Sequence, residues 1–433
     1  MQIQPILAAL RHHKLTALLL AAQVAFTCAI VTNAVFLIVQ QVQHVSTPSG
    51  LAENTLSIVT VDDLDAGAHP LSLHQADLAA LRKLPGVTSA AIINHVPFAN
   101  TTVGSGVCRS LAAAHAQIQA LANHPHIVPG CASVAQYAGG PDSVRTLGLR
   151  LTSGRDFYPD EYITSPHDQS RPGSIPALPA IIISQALAAH LYSAHPQHAV
   201  GQIVYYGLQG LMHGKGSRVV GVMASLHGTA FDGMIGHKAG DSAALVPIEQ
   251  SGDQVRFALR SQLADRTRVL HEAVATLAKR RPQRQISMDD AKTYTQIRAA
   301  YFSRDTTMIK LLLAAALGLL FVTALGIGGL ASFWVGERTR SIGIRRAVGA
   351  TRGSILRYFQ TENFLVVGAG ILVGLALAVW LNLVLMQHYA QPHLPLWYLP
   401  VGAALLWLLG QLAVLNPALR AASVPPVAAT RST

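Results

Sequence analysis

The chain has 433 residues, of which 51% are hydrophobic and only 12% are charged, and its mean hydropathy is +0.35. Soluble domains carry about 25% charged residues, so the composition argues against an ordinary cytosolic enzyme and predicts that part of the chain lies in lipid. Lysine and arginine number 32 against 21 acidic residues, a net charge of +11. That excess is compatible with nucleic acid, an acidic surface or membrane topology, so the positions of the charges must decide.

Four long apolar segments predict four transmembrane helices. A bilayer core about 30 Å thick needs about 20 helical residues, and each segment reaches or approaches that length with at most one charge. We predict the helices at residues 15–40, 306–335, 364–386 and 397–416. The first segment could be a cleaved signal peptide, but it is too long and lacks a clear cleavage site, so we interpret it as a retained anchor.

Residues 41–305, between the first two predicted helices, are long enough to fold around a core of their own. A strand–helix–strand pattern occurs near both ends of this segment. We therefore predict an α+β domain of two subdomains, in which both ends build one α/β subdomain and the other is inserted between them. The pattern covers residues 56–61, 75–84 and 87–96, and again residues 255–259, 263–281 and 283–288.

The inserted portion is rich in glycine and proline, with short apolar strands predicted at 180–183 and 218–222. Four prolines predict an exposed loop at 162–179. Cys108 and Cys131 both lie in the outer domain. In an oxidising compartment they could form a disulfide worth roughly 3 kcal/mol, and two buried free thiols are the alternative.

The charges lie where membrane topology would put them. Residues 1–14, 336–363 and 417–433 carry +2, +4 and +2, whereas the loop 387–396 has no lysine or arginine. Short basic segments stay in the cytoplasm, so we predict cytoplasmic N- and C-termini, a cytoplasmic loop at 336–363, and the remaining loops on the other side. The basic excess is therefore mostly topological, and a nucleic-acid role loses its main support.

Motifs for catalysis or metal binding are missing from the sequence. The stretch Gly210–Ser217 resembles a phosphate-binding loop, but Gly216 stands where a Ser or Thr must follow Lys215. Histidines at 124, 126, 195 and 198 have no cysteine or carboxylate cluster beside them, so we interpret them as surface loop residues. We therefore predict that the chain is not an enzyme and binds no metal or cofactor itself.

The basic loop carries the most specific pattern. Residues 337–350 read ERTRSIGIRRAVGA and predict a short amphipathic helix at the membrane surface. Arginines there can meet phosphate or an acidic protein surface. The apolar contacts of this loop are predicted from Ile342, Ile344, Val348, Ile355 and Leu356.

This loop resembles the cytoplasmic coupling segment of FtsX-like ABC transporter permeases of the MacB type. Ser341, where an acidic residue is common, and Val348, where Leu is common, depart from the family pattern. Weaker resemblance to the MacB periplasmic core domain and to the family's terminal segment is carried by residues 154–157, 181–188, 200–203, 219–222 and 417–422.

The resemblance implies an inner-membrane permease that works as a dimer with a separate cytoplasmic ATPase, which binds the ATP and magnesium. ATP-driven movement would be transmitted through the helices to the periplasmic domain, a mechanism called mechanotransmission. A periplasmic adaptor and an outer-membrane channel are further implied partners. The residues expected to dock on the ATPase are Glu337, Arg338, Thr339, Arg340, Ile342, Gly343, Ile344, Arg345, Arg346, Gly349 and Ala350.

Glycines in two of the predicted spans point to close helix packing. Gly370 and Gly374 form a G-x-x-x-G pattern in the third span, which allows helix backbones to approach. In the second span, the resemblance implies that Gly326 and Gly328 lie at a helix interface. Whether the dimer pairs two identical chains or two sister permeases stays open.

Three functions of this family remain open, with efflux of drugs, peptides or similar molecules as the first. Release of lipoproteins by a Lol-type permease is the second, and regulation of a cell-wall hydrolase by an FtsX-like protein is the third. The large outer domain argues against the third, since FtsX outer domains are much smaller. A membrane receptor is disfavoured because the sequence has no cytoplasmic signalling domain.

Overall fold

The computed structural model describes residues 14–63, 70–99, 103–123, 126–164, 177–192, 196–228, 240–282, 284–286, 291–389 and 395–423. The chain divides into two compact units. One, the membrane unit, comprises Met1–Ser46 with Arg304–Thr433. The other, the globular unit, comprises Thr47–Ser303.

The α-helices are, in chain order, α1 (Lys14–Val45), α2 (Pro70–Arg82), α3 (Leu111–Asn123), α4 (Ser143–Leu147), α5 (Gln185–Tyr192), α6 (Gly207–His213), α7 (Arg266–Arg280), α8 (Tyr294–Tyr301), α9 (Ser303–Glu337), α10 (Thr339–Ala347), α11 (Arg352–Tyr389) and α12 (Tyr398–Ser423). The strands are β1 (Leu56–Asp62), β2 (Val87–Ile93), β3 (Val103–Cys108), β4 (Cys131–Ala138), β5 (Leu151–Gly154), β6 (Ile163–Thr164), β7 (Ala180–Ser184), β8 (Ile203–Tyr206), β9 (Gly216–Met223), β10 (Ala243–Val246), β11 (Ile248–Glu249), β12 (Gln254–Ser261) and β13 (Ala291–Thr293). Short 3₁₀ turns occur at Glu53–Thr55, Pro159–Glu161 and Pro196–Ala199.

Four helices of the membrane unit are long and apolar enough to cross a bilayer, namely α1, α9, α11 and α12. This confirms the predicted four-helix architecture. The helices extend beyond the apolar runs from which they were predicted. The largest difference is at α11, which begins at Arg352 instead of residue 364, because Ile355 and Phe359 continue the buried face of the helix into the basic segment.

Helix α11 packs closely against α1 where glycines remove the side-chain barrier. A Cβ on Gly374 would lie 2.5 Å from Cβ of Cys28 and 2.7 Å from the carbonyl oxygen of Ala25. A Cβ on Gly370 would lie 2.7 Å from the carbonyl oxygen of Ala21. The G-x-x-x-G pattern therefore has α1 of the same chain as its neighbour.

Polar side chains reinforce the packing of the apolar helices. Asn33 of α1 donates from Nδ2 to the carbonyl of Ala378 in α11 at 3.1 Å, and the hydroxyls of Thr27 and Thr323 lie 2.8 Å apart. Such bonds stabilise membrane helix pairs by about 0.6 kcal/mol on average. On α9, Gly326 faces the Gln23 side chain, and Gly328 lies near the Ala413 carbonyl, where a Cβ would stand 3.4 Å away.

We expect Gly374→Leu to destabilise the membrane unit by about 2 kcal/mol or more, because the added side chain must displace α1. Gly368→Leu, on the same helix, is the matched control, since no atom lies within 4 Å of a Cβ built there. The measurement is the unfolding midpoint of both variants in the same detergent. Equal midpoints would contradict the close α1–α11 contact.

The first sheet of the globular unit is built from both ends of the segment. Its strand order is β13-β1-β12-β2, and α2 and α7 cover one face. Leu81 and Leu277 of the helices pack there with Val59 and Phe257 of the strands. The predicted end-to-end subdomain is thus confirmed. Of the strand predicted at residues 283–288, Gln285 forms a bridge to Asp62, and residues 283, 287 and 288 lie outside the described part of the chain. The further strand beside β1 is Ala291–Thr293.

The second sheet forms the inserted subdomain, as predicted. Its order is β5-β9-β7-β10-β4-β3-β8, and β8 also pairs with β9, so the sheet closes on itself. The strands expected at 180–183 and 218–222 are β7 and β9. Of the loop predicted at 162–179, residues 163–164 form β6, and residues 165–176 lie outside the described part of the chain.

The two cysteines of the globular unit face each other across neighbouring strands. Cys108 of β3 is in register with Cys131 of β4, and the structure joins them by a disulfide that spans 23 residues of sequence. Both side chains are buried beneath α3 and α6 with Ala114 and Leu211. The bond ties the start of β4 to the end of β3.

Candidate coupling surface

Helix α10 packs against α11 of the same membrane unit through one edge. Ile342 is only 5% exposed and belongs to the same apolar cluster as Ile355 and Phe359 of α11. Gly343 beside it is also buried. The helix ends before Gly349, whose φ of +102° is unfavourable for any residue with a Cβ. Gly349 therefore serves the turn into α11.

An ion pair fastens the start of α10 to α11. Nη1 of Arg338 donates to both carboxylate oxygens of Glu362, at 2.9 and 2.8 Å. The Glu362 side chain is 2% exposed and that of Arg338 is 18% exposed. Since a buried carboxylate needs a partner, Arg338 positions α10 from within the chain, a role that the sequence pattern did not distinguish from docking.

The outward face of α10 presents two apolar side chains. Ile344 is 54% exposed and Val348 is 84% exposed, and with Arg340 they follow a four-residue spacing along one side of the helix. Ile344 and Val348 are therefore available for apolar contacts outside the chain, whereas Ile342 is used within it. Successive helical residues are 100° apart, so Ile342 and Ile344 point in nearly opposite directions.

The other predicted docking residues divide in the same way. Glu337, Arg340 and Arg345 are exposed, and the Arg345 guanidinium lies 5.2 Å from the centroid of the Tyr358 ring. Arg346 and Ala350 are half-buried. The Thr339 hydroxyl donates to the carbonyl of Val335 at 3.0 Å or to that of Gly336 at 2.8 Å, so it serves the junction between α9 and α10.

We name Arg340, Ile344, Arg345 and Val348 the coupling face. An exposed apolar centre flanked by arginines matches the composition of protein interfaces, where buried apolar anchors supply most of the affinity. Arginine adds planar donors that suit carboxylates. The coupling face is therefore suited to a protein partner with an apolar groove and acidic rim.

The histidines of the globular unit give no metal centre within the part of the chain that the structure describes. No group of three or more His, Cys, Asp or Glu side chains there could hold an ion. Of the loop histidines singled out in the sequence, His126 and His198 are exposed, and His124 and His195 lie outside the described residues. Two others, His74 and His95, are buried, which no local pattern in the sequence indicated.

Burial of His95 makes the globular unit sensitive to acid. Desolvation, with a contribution from the positive charge of Arg256, lowers the pKa of His95 from 6.5 to about 4. Burial also lowers the pKa of His74. Between about pH 6.5 and 4 the unfolded chain binds protons that the folded protein does not, so stability falls as the pH falls through this window.

We expect His95 alone to account for a loss of about 3 kcal/mol between pH 7 and pH 4. The measurement is the unfolding midpoint of the full chain at several pH values, for the wild type and His95→Gln. The variant should lose less stability on acidification, whatever its stability at pH 7. Parallel pH profiles would show that His95 is not the responsible group.

The part of the membrane unit that includes α10 is similar to a known protein family. A model of the FtsX-like permease C-terminal family matches residues 313–426. Residues 313–426 are thus similar to the C-terminal region of FtsX-like permeases. The matched region includes α10 with its coupling face, and the Arg338–Glu362 pair.

Proteins of similar sequence align with much of the chain, beyond the residues that the family model matches. The uncharacterized ABC transporter permease YknZ of Bacillus subtilis is 26% identical over 292 residues, which is 65% of this chain and 66% of the relative. The macrolide export ATP-binding/permease protein MacB of Chromobacterium violaceum is 26% identical over 295 residues, 66% of this chain and 42% of the relative. The chain is homologous to these permeases, as the sequence pattern predicted, and the alignment spans less than two thirds of either.

Among solved structures, the periplasmic region of MacB from Actinobacillus actinomycetemcomitans matches 58% of this chain and 94% of its own length. The identity is 13% and the TM-score is 0.32. The assignment of the FtsX-like permease domain therefore stands on the family model and the sequence relatives.

Proposed function

We propose that this chain is the permease subunit of a MacB-type ABC transporter whose ATP is hydrolysed by a separate cytoplasmic ATPase. The observation that carries the proposal is the coupling face. It leaves Ile344 and Val348 uncovered by the rest of the chain, on and directly after a short helix whose other side packs against α11. An exposed apolar pair on a rigid support is what a docking partner needs.

The charge pattern supports a cytoplasmic position for this face. Residues 336–363 carry a net charge of +4, the largest of the segments that flank the apolar runs, and the positive-inside rule assigns such a segment to the cytoplasmic side of the inner membrane. Both chain termini then lie on the same side. The globular unit between the first two spans lies on the opposite, periplasmic side.

Mechanotransmission is the mode of action that suits these spans. Their apolar runs lack aspartate, glutamate and arginine, the residues that mark substrate or proton paths in membranes. In the proposed cycle, closure of the ATPase pair moves α10. Because α10 is fixed to α11 by Ile342 and by the Arg338–Glu362 pair, the movement passes into the helix bundle and on to the periplasmic domain.

Efflux of drugs, peptides or similar molecules through an adaptor and an outer-membrane channel is the transport task that we assign to a dimer of this permease. Deletion of the chain in its host should then raise susceptibility to exported compounds. If deletion instead left lipoproteins on the inner membrane, the Lol-type alternative would replace the efflux assignment. A defect in cell-wall hydrolysis alone would favour the FtsX-like regulator.

The central test is assembly with an ABC ATPase. The full chain is co-expressed with each candidate ABC ATPase of its host, purified in detergent and placed in lipid nanodiscs. We expect one ATPase to co-purify stoichiometrically and to hydrolyse ATP at a different rate in the complex. If none of the host's ABC ATPases binds the chain, the proposed function is wrong.

A further inference from the structure

The face of the first sheet opposite α2 and α7 borders a cavity in the globular unit. The cavity has a volume of about 160 Å³ and opens to solvent. In the antiparallel ladder, Ile58 lies opposite Lys292, and Thr60 lies opposite Arg256. Residues opposite one another share a face of the sheet, and all four line this cavity.

The polar groups of the cavity are cationic or hydrogen-bond donors. Arg256 and Lys292 line it, whereas no carboxylate is among the described residues that do. Arg256 also donates to the carbonyl of Asn94 at 2.5 Å and to Oε1 of Gln254 at 2.7 Å, which fixes its guanidinium beside the cavity. A confined site with this charge attracts an anion.

His95 adds a buried ring nitrogen with no partner. The side chain lines the cavity and is 3% exposed, and its Nε2 has no hydrogen-bond partner among the residues that the structure describes. Buried polar atoms are nearly always hydrogen-bonded, so an exception calls for a ligand or another function. Because the pKa of His95 is lowered to about 4, the neutral ring with its proton on Nε2 can donate a hydrogen bond to an anionic oxygen near neutral pH.

Apolar and aromatic side chains form the rest of the cavity. Phe98 has a φ of +62°, a backbone conformation that is uncommon for a residue with a bulky side chain. Its ring is buried against Phe302 and Tyr301, with centroids 4.9 and 5.3 Å away. Strained residues of this kind concentrate at binding sites. Phe98 and Tyr301 both line the cavity.

We propose that this cavity binds a small carboxylate whose apolar body is about the size of one aromatic ring. The carboxylate lies between Lys292, Arg256 and Nε2 of His95, and the ring lies against Phe98 and Tyr301. The volume fits, since a dry cavity of about 150 Å³ in another protein accommodates benzene. Tyr301 is the last residue of α8, and only Phe302 separates it from the start of α9. The ligand would therefore contact the segment that leads into the second span.

The test uses the full chain in nanodiscs, without nucleotide or ATPase, so its outcome is independent of the proposed function. Binding of 4-fluorobenzoate is followed by its ¹⁹F resonance, with empty nanodiscs as the blank. We expect saturable binding, and about tenfold weaker binding of the neutral 4-fluorobenzamide, because one charge-assisted contact is worth about that factor.

Variants then locate the site. Lys292→Met should weaken 4-fluorobenzoate binding about tenfold, and Lys292→Arg should retain it. Ala300→Trp should abolish binding by filling the cavity from α8, where Ala300 is exposed and tolerates a larger side chain. Lys279→Met, on the exposed side of α7, is the matched charge control and should bind as the wild type does.

The unfolding midpoint of each variant shows that it is folded. The proposal is overturned if no saturable binding is found, if the amide binds as well as the carboxylate, or if both Lys292→Met and Ala300→Trp bind as the wild type does.

Discussion

Replacing Ile344 and Val348 together by aspartate is expected to abolish docking of the ATPase and its change in hydrolysis rate. Both side chains are exposed, so the substitution should change the stability of the isolated chain by no more than about 0.5 kcal/mol. Fully burying a valine or isoleucine side chain at an interface contributes about 1.5–3 kcal/mol. Two of them should lower affinity by at least about 100-fold.

The measurement is co-purification and ATPase rate in nanodiscs, with the unfolding midpoint as the check on folding. Leu263→Asp is the matched control, because Leu263 is 62% exposed but belongs to the globular unit. Charge reversal by Arg345→Glu tests the electrostatic part of the coupling face separately. If the Ile344 and Val348 variant still binds the ATPase with normal affinity, docking takes place elsewhere on the chain.

Removing one partner of the Arg338–Glu362 pair should cause the largest loss of stability among these variants. Arg338→Ala leaves the carboxylate of Glu362, which is 2% exposed, without the Nη1 group that donates to both of its oxygens. Loss of one partner of a buried ion pair destabilises proteins by about 3–5 kcal/mol. We also expect ATPase coupling to fall, because α10 loses one of its two attachments.

A double-mutant cycle measures the interaction free energy between Arg338 and Glu362 apart from the contacts that each makes with other residues. Arg338→Met combined with Glu362→Leu removes both charges and should recover much of the lost stability, since no buried charge remains unpaired. The free energy of unfolding in mixed micelles is measured for the wild type, Arg338→Met, Glu362→Leu and the double variant. If the single and double variants lose stability additively, the two side chains do not interact as the structure indicates.

The sequence alone assigned these residues to one segment and did not distinguish which of them face outward and which pack within the chain. The pattern at 337–350 was sufficient to predict the resemblance to FtsX-like permeases, and it is the basis of the proposed coupling segment. It could not separate Ile342, which is buried, from Ile344, which is exposed, because that difference depends on how α10 is rotated against α11. It also assigned Arg338 to docking, although Glu362 binds it from 24 residues away.

In the globular unit, too, the sequence predicted some features of the fold and not others. The repeated strand–helix–strand pattern predicted that both ends of the segment form one sheet. The strand Ala291–Thr293 was not predicted, since three residues are too few to produce a readable alternation. Nothing near His95 in the sequence predicted its burial, because its neighbours Tyr137 and Arg256 come from distant parts of the chain.

The sequence by itself predicted the four apolar helices, the side on which their basic ends should lie, and the resemblance to FtsX-like permeases. These properties follow from local features: apolar length, charge position and a contiguous motif. Only the tertiary structure decided which coupling residues face outward, which arginine is engaged internally, and where a cavity lies beside cations. Those properties depend on side chains that meet across large sequence separations, where burial and pairing are set by packing and not by the residues next in the chain.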